Sequence, residues 1–171
     1  MADRNSTPYV AAVVEEIMRH CPMYYTNAAH SNLEEAELGG FTFPKDTILI
    51  VNYGAIQRDP THFDDPHEFR PERHLDPATG RFVQCARTAV FFGLGQRRCP
   101  GENLARMQLY LFTVALVQHF KFEAVKGETI DVEKATTKGF LVHPKPYNVS
   151  VECVDTKKSP SCQLLERTNV A

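Results

Sequence analysis

Apolar residues near the start of the chain repeat with a helical rhythm. Val10, Val13, Val14, Ile17 and Met18 fall at the i, i+3, i+4, i+7 and i+8 positions of one face. Thr7 and Pro8 supply an N-cap and a first helical residue, and Pro22 ends the run, so a helix is predicted over 7–19. Two strands are expected next, over 37–43 and 47–52, joined as a hairpin through Pro44-Lys45-Asp46. The unbroken apolar run Ile48-Leu49-Ile50-Val51 predicts a strand buried on both faces.

The pattern then breaks down. Four prolines (Pro60, Pro66, Pro71, Pro77) fall in 59–77 among charged residues and histidines, so regular structure should fail there. A long irregular segment inside a folded chain is usually functional or disordered. Phe63, Phe69 and Leu75 argue that this one is packed down, and a second loop runs to about residue 88. Over 104–120 the chain has helical length but is apolar nearly all round. Gln108, Thr113, Gln118 and the Tyr110 hydroxyl share no single face. Such a helix belongs inside a large core, which hints at protein mass outside this chain. Small β-hairpins are expected over 121–151, where Gly127, Gly139, Pro144 and Pro146 punctuate short apolar pieces. The polar, aperiodic segment 152–171 reads as a disordered tail, and no internal repeats occur.

Composition narrows the class. With 171 residues and 43% hydrophobic content the chain can bury one moderate core, so one domain is expected. A net charge of −2 gives no global signal for a nucleic-acid partner. The polar start and the lack of an eighteen-residue apolar run predict no signal peptide, transit peptide or membrane anchor in this chain. Cys21, Cys85, Cys99, Cys153 and Cys162 are too scattered for a disulfide framework and contain no Cys-x-x-Cys pair, which fits a reducing compartment.

Candidate chemistry concentrates at Cys99. It follows Arg97 and Arg98, lies between Gly95 and Gly101, and precedes the apolar helical stretch. Cationic neighbours and a helix N-terminus favour a thiolate, which serves as a nucleophile or a metal ligand. A lone cysteine is more often an inert buried residue.

Phe92, Gly95, Arg97, Cys99 and Gly101 occupy the five fixed positions of Phe-x-x-Gly-x-Arg-x-Cys-x-Gly. This stretch resembles the haem-binding signature of the cytochrome P-450 family. Glu16-Ile17-Met18-Arg19 is similar to the Glu-x-x-Arg element of that family's K helix, and Pro71-Glu72-Arg73 to its meander. Asp3-Arg4 before Pro8-Tyr9 adds to the match, and the order and spacing agree over about 3–151. Animal microsomal members, which include steroid hydroxylases and xenobiotic-oxidising enzymes, look most similar. The fold implied is α+β, mainly helical with small β-hairpins: the C-terminal portion of the cytochrome P-450 fold, from the K helix to the C-terminus. Residues 1–151 would form a partial haem domain (K helix, hairpin, meander, cysteine loop, L helix and C-terminal hairpins), followed by the tail 152–171.

The resemblance implies that Cys99 is the axial ligand of haem b (iron protoporphyrin IX), its thiolate pushing electron density toward O–O cleavage. Gly95 and Gly101 would let backbone approach the porphyrin, Arg97 would pair with a propionate, and Phe92 would shield the sulfur. His30 is either a second propionate partner or a solvated loop histidine; His20, His62, His67, His74, His119 and His143 have no metal-ligand spacing. Glu16, Arg19 and Arg73 would form a buried structural lock, although Glu16 and Arg19 alone read as a weak surface pair. Met23, Tyr24, Tyr25, Phe140 and Leu141 belong to segments that border substrate in the family, or are plain core. Arg98 and Arg106 would lie on the face where an acidic electron donor docks. Glu102-Asn103 stands where mitochondrial members carry a basic pair, which favours NADPH–cytochrome P-450 reductase as partner. Phe91, His74 and Gln108 depart from the usual proline, aromatic and glutamate, so packing near His74 should differ.

Family members are much longer. The central helix with its acid–alcohol pair, the distal pocket and the N-terminal anchor have no counterpart here, so a truncated gene model or fragment, inactive alone, is expected. The whole enzyme would insert one atom of O2 into a small apolar substrate (steroid, lipid or xenobiotic), with electrons from NADPH through the reductase. It would sit on the cytoplasmic face of the endoplasmic reticulum membrane, held only by that anchor. Two alternatives are a non-catalytic fragment and a haem-thiolate isomerase or dehydratase parent.

Overall fold

Pro8 opens the helix α1 (Pro8–His20), in a computed structural model that describes residues 6–83, 90, 92–127 and 141–154. The fixed φ of proline suits a first helical position, where its missing N–H leaves no bond unmade. Ala11, Ala12, Val14 and Met18 turn inward, and the Cys21 N–H closes the helix on the Ile17 carbonyl at 2.9 Å. Glu15, Glu16 and Arg19 are buried on the same helix, so its inner face is half ionic.

The strands differ from the sequence expectation. β1 (His30–Ser31) pairs antiparallel with β4 (Ile48–Leu49), and β2 (Ala36–Leu38) pairs with β3 (Phe41–Phe43), Leu38 opposite Phe41. The tight hairpin therefore turns at Gly39-Gly40, with φ of 59° and 82°, inside what reads as a single strand. Consecutive glycines reach positive φ without a Cβ clash and outrank the alternation around them. Pro44-Lys45-Asp46 does turn, with Thr47 N–H on the Pro44 carbonyl at 3.2 Å, but it leads back to β1. Nor is the second strand doubly buried. Ile48 is 70% and Ile50 62% exposed, because a two-stranded ribbon has no layer over it among the described residues.

A short helix absent from the sequence expectation, α2 (Tyr53–Gln57), follows β4, with Asn52 capping the Ala55 N–H at 3.0 Å. Gly54 is required there: a Cβ would lie 2.3 Å from Tyr25 Cδ1. The segment 59–77 is irregular, as the prolines dictate, apart from a 3-10 turn at Pro71–His74. Phe63 anchors it and is buried, whereas Phe69 is half-exposed, edge-on to His20 with ring centroids 5.8 Å apart.

Helix α3 (Glu102–His119) starts two residues before the expected stretch, from Gly101 as N-cap. Among the described residues it is not enclosed by a core. Glu102 and Arg106 are its buried residues, while Leu111, Phe112, Leu116 and Val117 are exposed. The charged first turns face α1, and no described element covers the apolar flanks. Among the described residues no helix is long and apolar enough to cross a membrane. The last sheet pairs β5 (Phe120–Ala124) with β6 (Val149–Cys153), Phe120 opposite Cys153. Strand β6 takes Glu152 and Cys153 from the expected tail; 155–171, and the part of the predicted hairpins in 128–140, lie outside the described residues.

Candidate functional site

Cys99 sits at the end of a tight loop. Gly93 (φ 78°) and Gly95 (φ 65°) place the backbone where a side chain would be strained, and a 3-10 turn at Gly95–Arg97 follows. The Cys99 N–H donates to the Phe92 carbonyl at 2.7 Å, and Glu102 N–H donates to the Cys99 carbonyl at 3.4 Å, leading straight into α3. A Cβ on Gly101 would stand 3.8 Å from Cys99 Sγ, in ordinary van der Waals contact. Cys99 is a free, exposed thiol.

Two cavities meet at this loop. One, of about 410 Å³, is lined by Thr26, His30, Tyr53, Arg97 and Cys99, with Phe92 at its edge. It brings together three of the side chains singled out from sequence: Cys99, Arg97 and His30. The other, of about 400 Å³, lies between α1 and α3 and is mostly apolar, with Ile17, Met18, Met23 and Leu109 beside Phe92 and Cys99. Tyr24 lines both cavities, whereas Tyr25 packs against Gly54 and lies under the Arg58 guanidinium, 5.5 Å from its ring centroid. Met23 and the segment after Leu141 do meet, through the Val142 N–H on the Met23 carbonyl at 2.8 Å. Leu141 itself is half-exposed, and Phe140 lies outside the described residues.

The Glu16, Arg19 and Arg73 side chains form one buried cluster. Arg19 donates to both Glu16 oxygens at 2.8 and 2.7 Å, and Arg73 Nε donates to Oε1 at 3.1 Å. The backbone N–H of Arg70 adds a bond at 2.9 Å. The arginines then reach outward to carbonyls of the irregular segment. Arg19 takes those of Gln57, Pro66 and Glu68, and Arg73 those of Asp64, Asp65 and Glu68. This explains how 59–77 holds a fixed shape without regular structure: its carbonyls are satisfied by two buried guanidinium groups. Burial alone would push the Glu16 carboxyl up. Hydrogen bonds from Arg19, His74 and the Arg70 N–H, with the Arg19 charge, overturn this and hold it at about 2.

His74 is the member that sequence reasoning missed. It is 1% exposed, and its Nε2 lies 2.9 Å from Glu16 Oε2. The one signal for it was its departure from the usual aromatic.

A second ionic chain was also missed. Arg106 donates to Glu15 of α1 through Nη1 and to Glu102 Oε1 through Nε at 2.8 Å. Glu102 Oε2 accepts from Arg98 Nε at 2.6 Å, and the Arg106 guanidinium carbon lies 5.2 Å from the Phe92 ring centroid. Burial would raise the Glu102 carboxyl, but Arg98 and Arg106 together hold it below its ordinary value. This corrects the placement of Arg106 on an open docking face, because its side chain is 7% exposed and taken up by two carboxylates. Arg98 does remain half-exposed, at 55%.

Comparison with known proteins places this geometry in context. The sequence profile of the cytochrome P-450 family matches residues 1–151. The chain is 39% identical over 152 residues to a 3-ketosteroid oxygenase of Caenorhabditis elegans, covering 89% of this chain and 26% of that protein. It is 38% identical over 149 residues to cytochrome P-450 2D14 of Bos taurus, covering 87% of this chain and 29% of that one. A zebrafish cytochrome P-450 solved with abiraterone superimposes with a TM-score of 0.78 at 35% identity, over 91% of this chain and 36% of its own. The chain thus spans 26% to 36% of the length of these relatives.

Proposed function

This chain belongs to the cytochrome P-450 family and has the fold of its C-terminal portion, and from that premise we propose that it forms the haem-ligating side of a haem-thiolate monooxygenase, with Cys99 as the residue whose sulfur would hold haem b. One observation carries the reading: the exposed Cys99 thiol opens onto a cavity shared with Arg97 and His30. That donor set fits the group. A soft sulfur suits an iron whose other ligands come from a macrocycle, and two potential cations suit its acidic substituents. Tyr24, Tyr53 and Phe92 supply aromatic walls for a flat apolar ring. When bound, haem supplies the activation of O2, which a thiolate ligand assists.

The chain's own residues hold that ligand in place. The Phe92 carbonyl fixes the Cys99 backbone, and Phe92 lines both cavities beside the sulfur. Arg97, with His30 as second partner, would hold the acidic edge of the group. Glu16, Arg19, His74 and Arg73 hold the irregular segment against α1.

For the whole protein, the reading is insertion of one oxygen atom into a small apolar substrate of the steroid, lipid or xenobiotic kind. Electrons would come from NADPH through NADPH–cytochrome P-450 reductase, at the cytoplasmic face of the endoplasmic reticulum. The name of the nematode relative favours a steroid. The apolar face of α3 (Leu111, Phe112, Leu116, Val117) supports a second reading, that this chain alone is non-catalytic. Haemin titration followed by Soret absorbance tests the site. Arg97→Ala is expected to weaken binding about tenfold or more, the loss of a charge-assisted pair. Unchanged affinity in Arg97→Ala and Cys99→Ala would overturn the assignment.

A further inference from the structure

We infer that Glu15 and Arg106 are positioning residues for the Cys99 loop, acting through the Phe92 ring. The inference rests on the reading of Cys99 as the haem ligand.

Arg106 is fixed from two sides. Its Nη1 donates to Glu15 on α1, and its Nε donates to Glu102 one turn earlier on α3, at 2.8 Å. Its Nη2 is buried and has no hydrogen-bond partner among the described residues. A buried donor left unmade is costly, and a ring face is the weaker acceptor that such a group can use. The Phe92 ring lies within cation–π range of the group, with its centroid 5.2 Å from the guanidinium carbon. The position of the guanidinium therefore sets that of the ring.

Phe92 is tied in turn to the ligand. Its carbonyl accepts the Cys99 N–H at 2.7 Å, and its side chain lines both cavities that Cys99 borders. The residue before Cys99 is held by the same chain of charges, since Arg98 Nε donates to the second oxygen of Glu102 at 2.6 Å. Adjacent carboxylates of α1 thus perform different tasks. Glu16 holds the irregular segment, and Glu15 reaches across to α3 and, through Arg106, to the cysteine loop.

The test is the ferrous–CO spectrum of the full haem-loaded chain, read as the share of bound haem in the red-shifted thiolate band. Glu15→Gln keeps the shape and removes the charge that anchors Arg106. It is expected to lower that share several-fold, with a matching share in the band of haem lacking thiolate ligation. Arg106→Lys keeps the charge without the fork and should do the same. The double variant should be no worse than Arg106→Lys, because both changes cut one chain of contacts. A merely structural loss would reduce total haem and leave the share unchanged, and an unchanged share overturns the inference. Cys99→Ala separates this from the underlying reading. If its spectrum keeps the thiolate band, it is the ligand assignment that fails.

If Glu15→Gln retains no haem, alkylation of the haem-free chain by iodoacetamide, mapped by peptide mass, decides. Cys99 should react several-fold faster while Cys21 keeps its rate. Equal acceleration of both, or of neither, counts against the inference.

Discussion

His74 Nε2 and Glu16 Oε2 lie 2.9 Å apart, both side chains fully removed from solvent, 58 residues apart in sequence. The carboxylate already accepts from Arg19 and Arg73, so His74 completes the set on its second oxygen. His74→Ala removes a bond to a charged acceptor and opens a gap. It should cost about 2–3 kcal/mol in urea unfolding. A loss under about 0.5 kcal/mol, typical of a surface position, would show that the contact is dispensable.

Glu16 makes the fold acid-sensitive. Its carboxyl is held at about 2 against an ordinary 4.5, so the unfolded chain takes up the proton first as pH falls. The contribution is complete above the unfolded value, on the order of 3 kcal/mol, and is lost as pH falls from 4.5 toward 2. Urea midpoints between about pH 6 and about pH 3 should fall less steeply in Glu16→Gln than in the parent. Parallel slopes would contradict the account.

Gly54 and Tyr25 form a steric pair. A Cβ at Gly54 would stand 2.3 Å from Tyr25 Cδ1, so Gly54→Ala should destabilise by about 1–3 kcal/mol. In a Tyr25→Ala background most of that cost should vanish, and thermal melts of the cycle measure the coupling. Additive losses would mean that the close approach is not the cause.

Local signals were legible in the sequence, and distant pairings only where the family resemblance implied them, as for Glu16 and Arg73. α1 follows from the Val10–Met18 stripe and Pro8, and its end shifts by one residue. The Gly39-Gly40 turn was hidden because an alternating run continues across it. The span of α3 was legible, and Leu111, Phe112, Leu116 and Val117 are exposed because no described element covers them. Cys99, Arg97 and His30 were individually legible and do share a cavity. The Glu15–Arg106 pair joins residues 91 apart, and no periodicity or motif marks such a contact. Charges of that kind read as solvated until the fold brings them together.

Arg73 links the ionic cluster to the carbonyls of Asp64, Asp65 and Glu68. Arg73→Ala leaves those groups and Glu16 short of donors, and should abolish stable haem retention. Arg73→Lys, which keeps the charge without the fork, should retain a part of it. Haem content after gel filtration is the measurement, and a normal content in Arg73→Ala would contradict the proposed lock.

The most direct measurement of the central claim compares ferrous–CO spectra of the haem-loaded parent and Cys99→Ala. The red-shifted thiolate band should be present in the parent and absent from the variant. A variant that keeps this band, or a haem-loaded parent that never shows it, would contradict Cys99 as the iron ligand.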